Sequence, residues 1–304
     1  MSSSRSGPTF GGQALVEGVL IRTADRWAVA IRRPDGTIHR HDGTIDPARR
    51  PWTWPLLRGL RALGVQFRLG MRALMQSSVL ADTGELRPLP LSLVAYVLVV
   101  STLIGLLVFT LIPLALTGRD PGVEPTLMQR LSEGVVKSGF LAAYVIGVTR
   151  LSRYRRIFSY HGAEHMAIAC AEAGRALTVD NVGRFSPAHP RCGTGFLVIL
   201  AAVDTFLLAV LPRLGPVPDL ALRIAFLPVT AAVAYELLRW GSRRRGLGFA
   251  LNRFGLFTQR LTTAYPDRGQ IEVAIAALTL CRAPGTARIE AEATEAQRLT
   301  PETA

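Results

Sequence analysis

Residues 160–194 read YHGAEHMAIACAEAGRALTVDNVGRFSPAHPRCGT and carry three of the five histidines in the 304-residue chain. His161 and His165 are four residues apart, so on a helix both imidazoles project from one face and can reach one ion. With Glu164 they form the H-x-x-E-H order of an inverted zinc-hydrolase motif. In that chemistry the ion lowers the pKa of a coordinated water, and Glu164 is the predicted catalytic base that takes its proton.

Two histidines do not complete a metal site, so further ligands must fold back onto them. Glu172 lies seven residues beyond His165, about 10 Å along an unbroken helix, which is too far for the same ion. His189 and Cys192 follow a loop rich in Gly, Asp, Asn and Pro, so both side chains can point at one place. A set of His161, His165, His189 and Cys192 suits a divalent transition metal, and zinc is the expected ion.

The role of Cys192 separates two kinds of site. Four protein ligands would close a tetrahedral zinc site and make it structural, whereas three would leave a position for a water. If Cys192 ligates together with all three histidines, the metal holds the loop to the helix bundle. If Cys192 does not bind the metal, hydrolysis is chemically possible.

Four further polar residues are alternative members of the site. Gln13 and Glu17 lie among glycines in GGQALVEG, where a tight turn that opens a strand also explains them. Asp204 interrupts an apolar segment, either as a functional carboxylate or as a protonated acid bonded to Ser, Thr or backbone. Glu236 is either an outer ligand of the histidines or a glutamate that snorkels to the membrane surface.

Four separated motifs resemble a single family. GGQALVEGVLIR, YHGAEH, FSPAHPRCGTGF and LTTAYPDRGQIEVAIAAL occur in this order, over roughly residues 9–281, which is more specific than one short pattern. They are similar to the YqhQ-like family of multi-pass bacterial membrane proteins, a domain of unknown function described as predicted metal-dependent enzymes. The resemblance implies a metal site at the histidines, Glu164 and Cys192, and it implies no particular reaction.

Composition predicts a membrane protein, because 49% of residues are hydrophobic and the mean hydropathy is +0.28. The net charge is +13, and the arginines cluster beside apolar segments, as in cytoplasmic anchoring to a bilayer. We therefore expect a lipid bilayer with anionic headgroups as the partner, and no nucleic acid. The three cysteines have no framework spacing, so they are predicted to be reduced thiols.

Four apolar segments are predicted to cross the membrane. Residues 91–117 contain no charge and are long enough to span about 30 Å of hydrocarbon with some tilt. The second segment, 134–149, carries Lys137 near its start, where the ammonium is expected to snorkel outward. The third and fourth are residues 195–212 and 220–238. Arginines follow the second and fourth, so both termini and segment 150–194 are predicted to be cytoplasmic in the bacterial inner membrane.

The rest of the chain is predicted to be soluble or interfacial. Residues 19–21, 27–31 and 37–40 indicate a small β-meander, and residues 52–80 a basic amphipathic helix that lies on the membrane or packs on the soluble part. Two short helices are expected at 249–263 and 269–280. The fold class is a mainly α membrane protein, divided into residues 1–50, 51–90, 91–240, 241–282 and a disordered tail, 283–304.

These features together predict a metal-dependent membrane enzyme, a hydrolase at the cytoplasmic face. One alternative is a non-catalytic scaffold or assembly factor with a structural metal. A second is a small transporter with Asp204 on its path, although four spans without repeat symmetry give little basis for alternating access. The sequence does not indicate a substrate, a protein partner or an oligomeric state.

Overall fold

The computed structural model describes residues 10–45, 54–86, 90–117, 126–189, 192–211, 216–241 and 256–282. The predicted tail, 283–304, lies outside these ranges. So do the predicted start of the amphipathic helix at residue 52 and the first part of the helix predicted at 249–263.

Four antiparallel strands form one sheet in chain order. They are β1 (Gly11–Leu15), β2 (Gly18–Arg22), β3 (Arg26–Arg32) and β4 (Ile38–Thr44). The predicted β-meander is confirmed, and β1 adds a strand to it. The register pairs Gly12 with Ile21 and Gln13 with Leu20. Gly12 and Gln13 are successive residues of a strand, so they face opposite sides of the sheet.

The other described elements are helices. They are α1 (Pro55–Thr83), α2 (Leu91–Leu106), a π-helical turn (Leu107–Leu111), α3 (Ile112–Leu116), α4 (Leu127–Arg150), α5 (Ser152–Glu172), α6 (Val179–Val182), α7 (Thr194–Val210), α8 (Pro216–Gly241), α9 (residues 256–262) and α10 (Arg268–Arg282).

The sheet is covered on both faces, because β2 and β3 each contain four consecutive buried residues, and successive residues of a strand face opposite sides. One face packs on α5 and α10 through Val19, Ile21, Ala28 and Ala30. The other face packs on the C-terminal half of α1 through Leu20, Val29 and Ile31. The histidine-bearing helix α5 is thereby fixed to the sheet.

Helix α1 is the predicted amphipathic helix, and it connects the sheet to the apolar helices. Its N-terminal half packs on α8, where a side chain on Gly59 would contact Tyr235. Its Arg58 donates two hydrogen bonds to Glu236 of α8, at 2.8 and 2.5 Å. The C-terminal half of α1 lies against the sheet.

Three helical stretches are long and apolar enough to cross a membrane: Leu91–Leu111, Leu127–Arg150 and Pro218–Gly241. The predicted third span corresponds to α7, which has 17 residues. It is about 25 Å long at 1.5 Å per residue, shorter than a hydrocarbon core of about 30 Å. Among the described residues, length and composition therefore support three spans directly.

The environment of Lys137 differs from the prediction. Helix α4 begins at Leu127, so Lys137 lies near the middle of the helix rather than near its start. Its ammonium forms an ion pair with Asp204 of α7. The expectation that Lys137 snorkels outward is wrong, because a carboxylate on the neighbouring helix holds the charge inside the bundle.

Gly12 provides a test of the packing between the sheet and α5. A Cβ at this position would lie 2.6 Å from the Leu20 carbonyl oxygen and 2.7 Å from Glu164 Oε1, closer than van der Waals contact allows. Gly12→Ala is expected to destabilise the fold by about 1–3 kcal/mol through overpacking, measured by thermal unfolding in detergent.

The matched control is Gly64→Ala in α1, where a Cβ would have nothing within 4 Å. This change should leave stability unchanged or raise it by up to about 1 kcal/mol, because Ala favours a helix over Gly. Equal unfolding temperatures for the two variants would contradict the close approach of α5 to β1.

Candidate metal centre

Both histidines of the motif lie in α5, on the face that the i, i+4 spacing predicts. The centroids of the His161 and His165 rings are 4.4 Å apart. The helix is buried here, and Tyr160, Ala163 and Ala167 have no exposed surface. The two imidazoles are therefore held in a packed interior rather than on a solvated helix face.

Backbone carbonyls fix the orientation of both rings. His161 Nδ1 lies 2.8 Å from the Thr262 oxygen, and His165 Nδ1 lies 2.6 Å from the Pro187 oxygen. A carbonyl can only accept, so each Nδ1 carries the proton, and in a neutral imidazole Nε2 then has a free lone pair. This outer hydrogen bond is typical of metal-binding histidines, since it sets both the tautomer and the ring orientation.

Cys192 completes a compact donor group with the two histidines. Its Sγ lies 3.2 Å from His161 Nε2. One ligand atom each from His161, His165 and Cys192 all lie within 4.8 Å of one another. An ion bonded to nitrogen and sulfur at 2.0–2.3 Å would need ligand atoms about 3.5 Å apart. The three side chains would therefore have to move only slightly to bind one ion. Two imidazoles and a thiolate fit zinc.

The ionisation of the donor group follows from its burial. Burial lowers the pKa of His165 to about 3, so this imidazole is neutral at physiological pH and its lone pair is available. Burial also raises the pKa of the Cys192 thiol. Thr194 opposes that shift with its backbone N–H, which donates to Sγ at 3.4 Å, and its hydroxyl at 3.2 Å. The thiol must lose its proton to bind a metal.

Glu164 is a buried carboxyl next to this donor group. It is 4% exposed, and its Oε2 has no hydrogen-bond partner among the described residues. Burial raises its pKa to about 8, and the charges of His161 and Cys192 act on it in opposite directions. A buried, unpartnered carboxyl oxygen is unusual in a folded protein. A bound cation or water would supply the missing interaction.

His189 lies beside the donor group but is not part of it. Its backbone N–H and C=O are both bonded by the Gln259 side chain, at 2.8 and 2.9 Å. Its ring centroid is 5.7 Å from that of His165, and its Nε2 is 3.5 Å from Glu172 Oε2. The structure thus directs His189 toward the end of α5. Of the four residues proposed as ligands from the sequence, the structure groups His161, His165 and Cys192, and His189 lies next to them.

The other sequence candidates are engaged elsewhere. Glu17 has a left-handed φ of 51° in the turn between β1 and β2, and its carboxylate accepts from Arg156 and from the Tyr160 hydroxyl. It therefore fastens this turn to α5. Gln13 is on the sheet face that packs on α1, beside Gly70.

Glu236 and Asp204 belong to helix–helix contacts. Glu236 pairs with Arg58, and Asp204 pairs with Lys137. Neither carboxylate is part of the donor group that the described residues form.

Sequence reasoning missed the elements that orient the site. The segment after α9 crosses α5 at Gly162, where a Cβ would collide with the Ala264 carbonyl, and Ala264 N donates to the Phe158 oxygen at 3.0 Å. This crossing brings Thr262 to His161. Gly162 within the motif was a signal of close approach, but nothing in the sequence identified the approaching segment.

The fold and the site define a mainly helical protein with membrane-length apolar helices and a buried histidine–cysteine centre. Residues 54–283 match the family described as "Protein of unknown function (DUF1385)", and the chain belongs to this family. It is 31% identical over 297 residues to "Uncharacterized protein YqhQ" of Bacillus subtilis (strain 168), covering 90% of this chain and 92% of that protein. The family resemblance seen in the sequence is therefore confirmed. No solved structure gave a significant match.

Metal content tests the donor group directly. Protein purified without chelator is expected to carry about one zinc per chain, since three protein ligands are typical of a catalytic zinc site. Cys192→Ser should lose most of this metal in elemental analysis, because a hydroxyl is a poor zinc ligand.

The control is Cys170→Ser. Cys170 is also buried, but its thiol is directed at the Ala176 carbonyl, so this variant should keep its zinc. Background metal in the wild type, or equal metal in both variants, would contradict the assignment.

Proposed function

We propose that this protein is a zinc-dependent membrane enzyme, a hydrolase that acts at the cytoplasmic membrane face. In this proposal His161, His165 and Cys192 hold the metal, and Glu164 is the general base. The observation that carries it is the three-donor group of His161, His165 and Cys192, whose ligand atoms all lie within 4.8 Å of one another. Three ligands leave the fourth tetrahedral position for a reactant, whereas a structural site would be closed.

Each residue of the site has a separate task in this proposal. Bound zinc would polarise a substrate oxygen and bring the pKa of a water near neutrality. The carbonyls of Thr262 and Pro187 keep the two imidazoles in position. Glu164 accepts the proton in its carboxylate form, which a nearby cation favours. Burial of these groups excludes bulk water and strengthens the electrostatic interactions.

The proposed topology has four spans, α2, α4, α7 and α8, with both termini in the cytoplasm of a bacterial cell. Arginines at the end of α4 and start of α5, among them Arg150, Arg155 and Arg156, and Arg239 near the end of α8 support this orientation. The short α7 would require local thinning of the bilayer, or flanking residues that snorkel. The metal centre, at the start of α7, would then lie at the cytoplasmic interface.

Helix α1 is proposed to lie at the same interface, against anionic headgroups. Large apolar side chains of its N-terminal half are exposed, including Trp54 at 74% and Phe67 at 58%. Arg61, Arg68 and Arg72 accompany them along the helix. Exposed apolar surface with flanking arginines is typical of interfacial helices.

A scaffold with a structural metal is the second candidate, and one observation favours it. Cys192 precedes α7, so a metal bound to it and to the α5 histidines would tie the soluble layer to the apolar helices. A buried His189 beside the donor group would provide a fourth ligand after a modest movement. The small-transporter alternative rests on Asp204, whose charge Lys137 balances.

Glu164→Gln distinguishes an enzyme from a scaffold. The amide keeps the size of the side chain but cannot accept the proton, so metal content should persist while turnover falls by about 10²–10⁴-fold. The measurement compares, by mass spectrometry, membrane lipids and peptides incubated with zinc-loaded wild type and with the variant. Products that require wild type and disappear with a chelator are expected.

Glu272→Gln is the matched control, because Glu272 is an exposed residue of α10 that pairs with Arg32. Its product profile should equal that of wild type. If Glu164→Gln also retained every zinc-dependent product, the role of Glu164 would be wrong; if wild type yielded none, the scaffold would be favoured.

Labelling of single exposed positions tests the topology. Ser186→Cys, in the loop before Pro187, and Thr126→Cys, at the start of α4, are both on exposed residues. An impermeant maleimide applied to intact cells is expected to label only Thr126→Cys, and Ser186→Cys should react only after permeabilisation. The reverse pattern would invert the proposed orientation.

A further inference from the structure

A cavity lies among the apolar helices, away from the donor group. It has a volume of about 320 Å³ and is lined by residues of α2, the π-helical turn, α4, α7 and α8. This volume falls within the range of about 300–1,000 Å³ that is typical of small-molecule sites. Most of its wall is apolar, for example Leu106, Phe109, Leu141 and Leu200.

The two charged residues on this wall form one ion pair, and its other polar residues are Ser138, Thr102, Thr110 and Thr230. Lys137 and Asp204 both line the cavity, with Ser138 next to Lys137 on α4. The ammonium donates to Asp204 Oδ2, and the described part of the chain provides no other hydrogen bond to either side chain. The cavity therefore presents unused N–H donors and a carboxylate acceptor, with zero net charge.

Burial of this pair has a cost that helix packing alone does not require. Desolvation of two charges amounts to several kcal/mol per ion, and apolar residues of similar volume usually pack as well or better. Charged residues inside apolar spans are for this reason functional candidates by default. The unused hydrogen-bonding capacity is directed at the cavity, which indicates a polar ligand group there.

The backbone of α2 is also irregular at this cavity. Pro113 lacks an N–H, and its ring opposes the carbonyl of Phe109 four residues earlier. The helix widens into the π-helical turn Leu107–Leu111 just before this proline, and Phe109 and Thr110 of the turn line the cavity. Single π-helical turns are frequent at functional sites.

The cavity is open toward the surface that would face lipid. Two residues that line it, Leu197 and Leu227, are 44% and 48% exposed. A ligand would therefore enter from the bilayer, with its chain against the apolar wall. An anionic headgroup would add an unbalanced charge to a neutral pair, whereas a hydroxyl both accepts from Lys137 and donates to Asp204.

We propose that this cavity binds a neutral, hydroxyl-bearing single-chain lipid of the monoacylglycerol class, with its hydroxyl at the Lys137–Asp204 pair and its chain against α2, α4 and α7. The site does not depend on the proposed hydrolase function or on a metal.

Photo-crosslinking of full-length protein in phosphatidylcholine nanodiscs tests this site. The probe is a monoacylglycerol with a diazirine in its chain, and labelled peptides are identified by mass spectrometry. Labels are expected on Leu106, Phe109 or Leu141, and excess unlabelled monoacylglycerol should displace the probe. An excess of the free fatty acid of equal length should displace it poorly, because of its charge.

Two variants of adjacent residues on α7 locate the site. Ala201 lines this cavity, whereas Ala202 lines a groove on another side of the helix. Ala201→Phe should reduce labelling at least about tenfold by filling the space, and Ala202→Phe should leave it unchanged. The double variant Lys137→Met/Asp204→Leu removes the pair without leaving a lone charge, and should weaken monoacylglycerol binding about tenfold, or about 1.4 kcal/mol.

Three results would overturn the proposal. If excess unlabelled monoacylglycerol does not displace the probe from the wild-type protein, the cavity holds only water or bulk hydrocarbon. This test does not require any variant to fold. Labels confined to lipid-facing residues such as Leu103 and Ile104 would exclude the cavity. Unchanged binding in the double variant would show that the ion pair serves only to hold the helices together.

Discussion

Helix α5 is buried on several sides, and the elements that cover it hold the side chains of the donor group in place. The sheet contacts it through β1 and β2, and α10 packs along it. The 183–189 loop and Thr262, the last residue of α9, supply the carbonyls for its histidines. A backbone can approach this closely only because residues 12 and 162 are glycines. Without this close packing, the polar side chains of His161, Glu164 and His165 would favour exposure to solvent.

The cost of burying these polar groups is the physical argument for a ligand. Glu164, His165, His189 and Cys192 are all less than 9% exposed. Buried polar atoms are normally paired, and the Nδ1 atoms of His161 and His165, with the backbone of His189, obey this rule. Among the described residues, Glu164 Oε2 has no hydrogen-bond partner. A cation among them would compensate the burial, and it would convert binding energy into folding energy for α5 and the loop before α7.

Local patterns in the sequence predicted the elements, and tertiary contacts decided their roles. Short strand-forming segments at 19–21, 27–31 and 37–40 predicted the meander, and the 3.6-residue period predicted α1. The i, i+4 spacing placed His161 and His165 together. The partners of Lys137, Glu17 and Glu236 lie on helices that are distant in the sequence. No local signal indicates which of the two buried histidines, His165 or His189, will lie outside the donor group. The backbone of His189 is bound by Gln259, 70 residues later, and its ring lies beside Glu172 at the end of α5.

X-ray absorption at the zinc edge of the purified, metal-loaded protein measures the donor set most directly. Two nitrogen ligands at about 2.0–2.1 Å, one sulfur at about 2.3 Å and one light oxygen scatterer are expected. Loss of the sulfur shell in Cys192→Ser should accompany this result. A spectrum with three imidazoles and no sulfur, or with a closed shell of three imidazoles and one sulfur, would contradict the three-ligand centre on which the proposed chemistry depends.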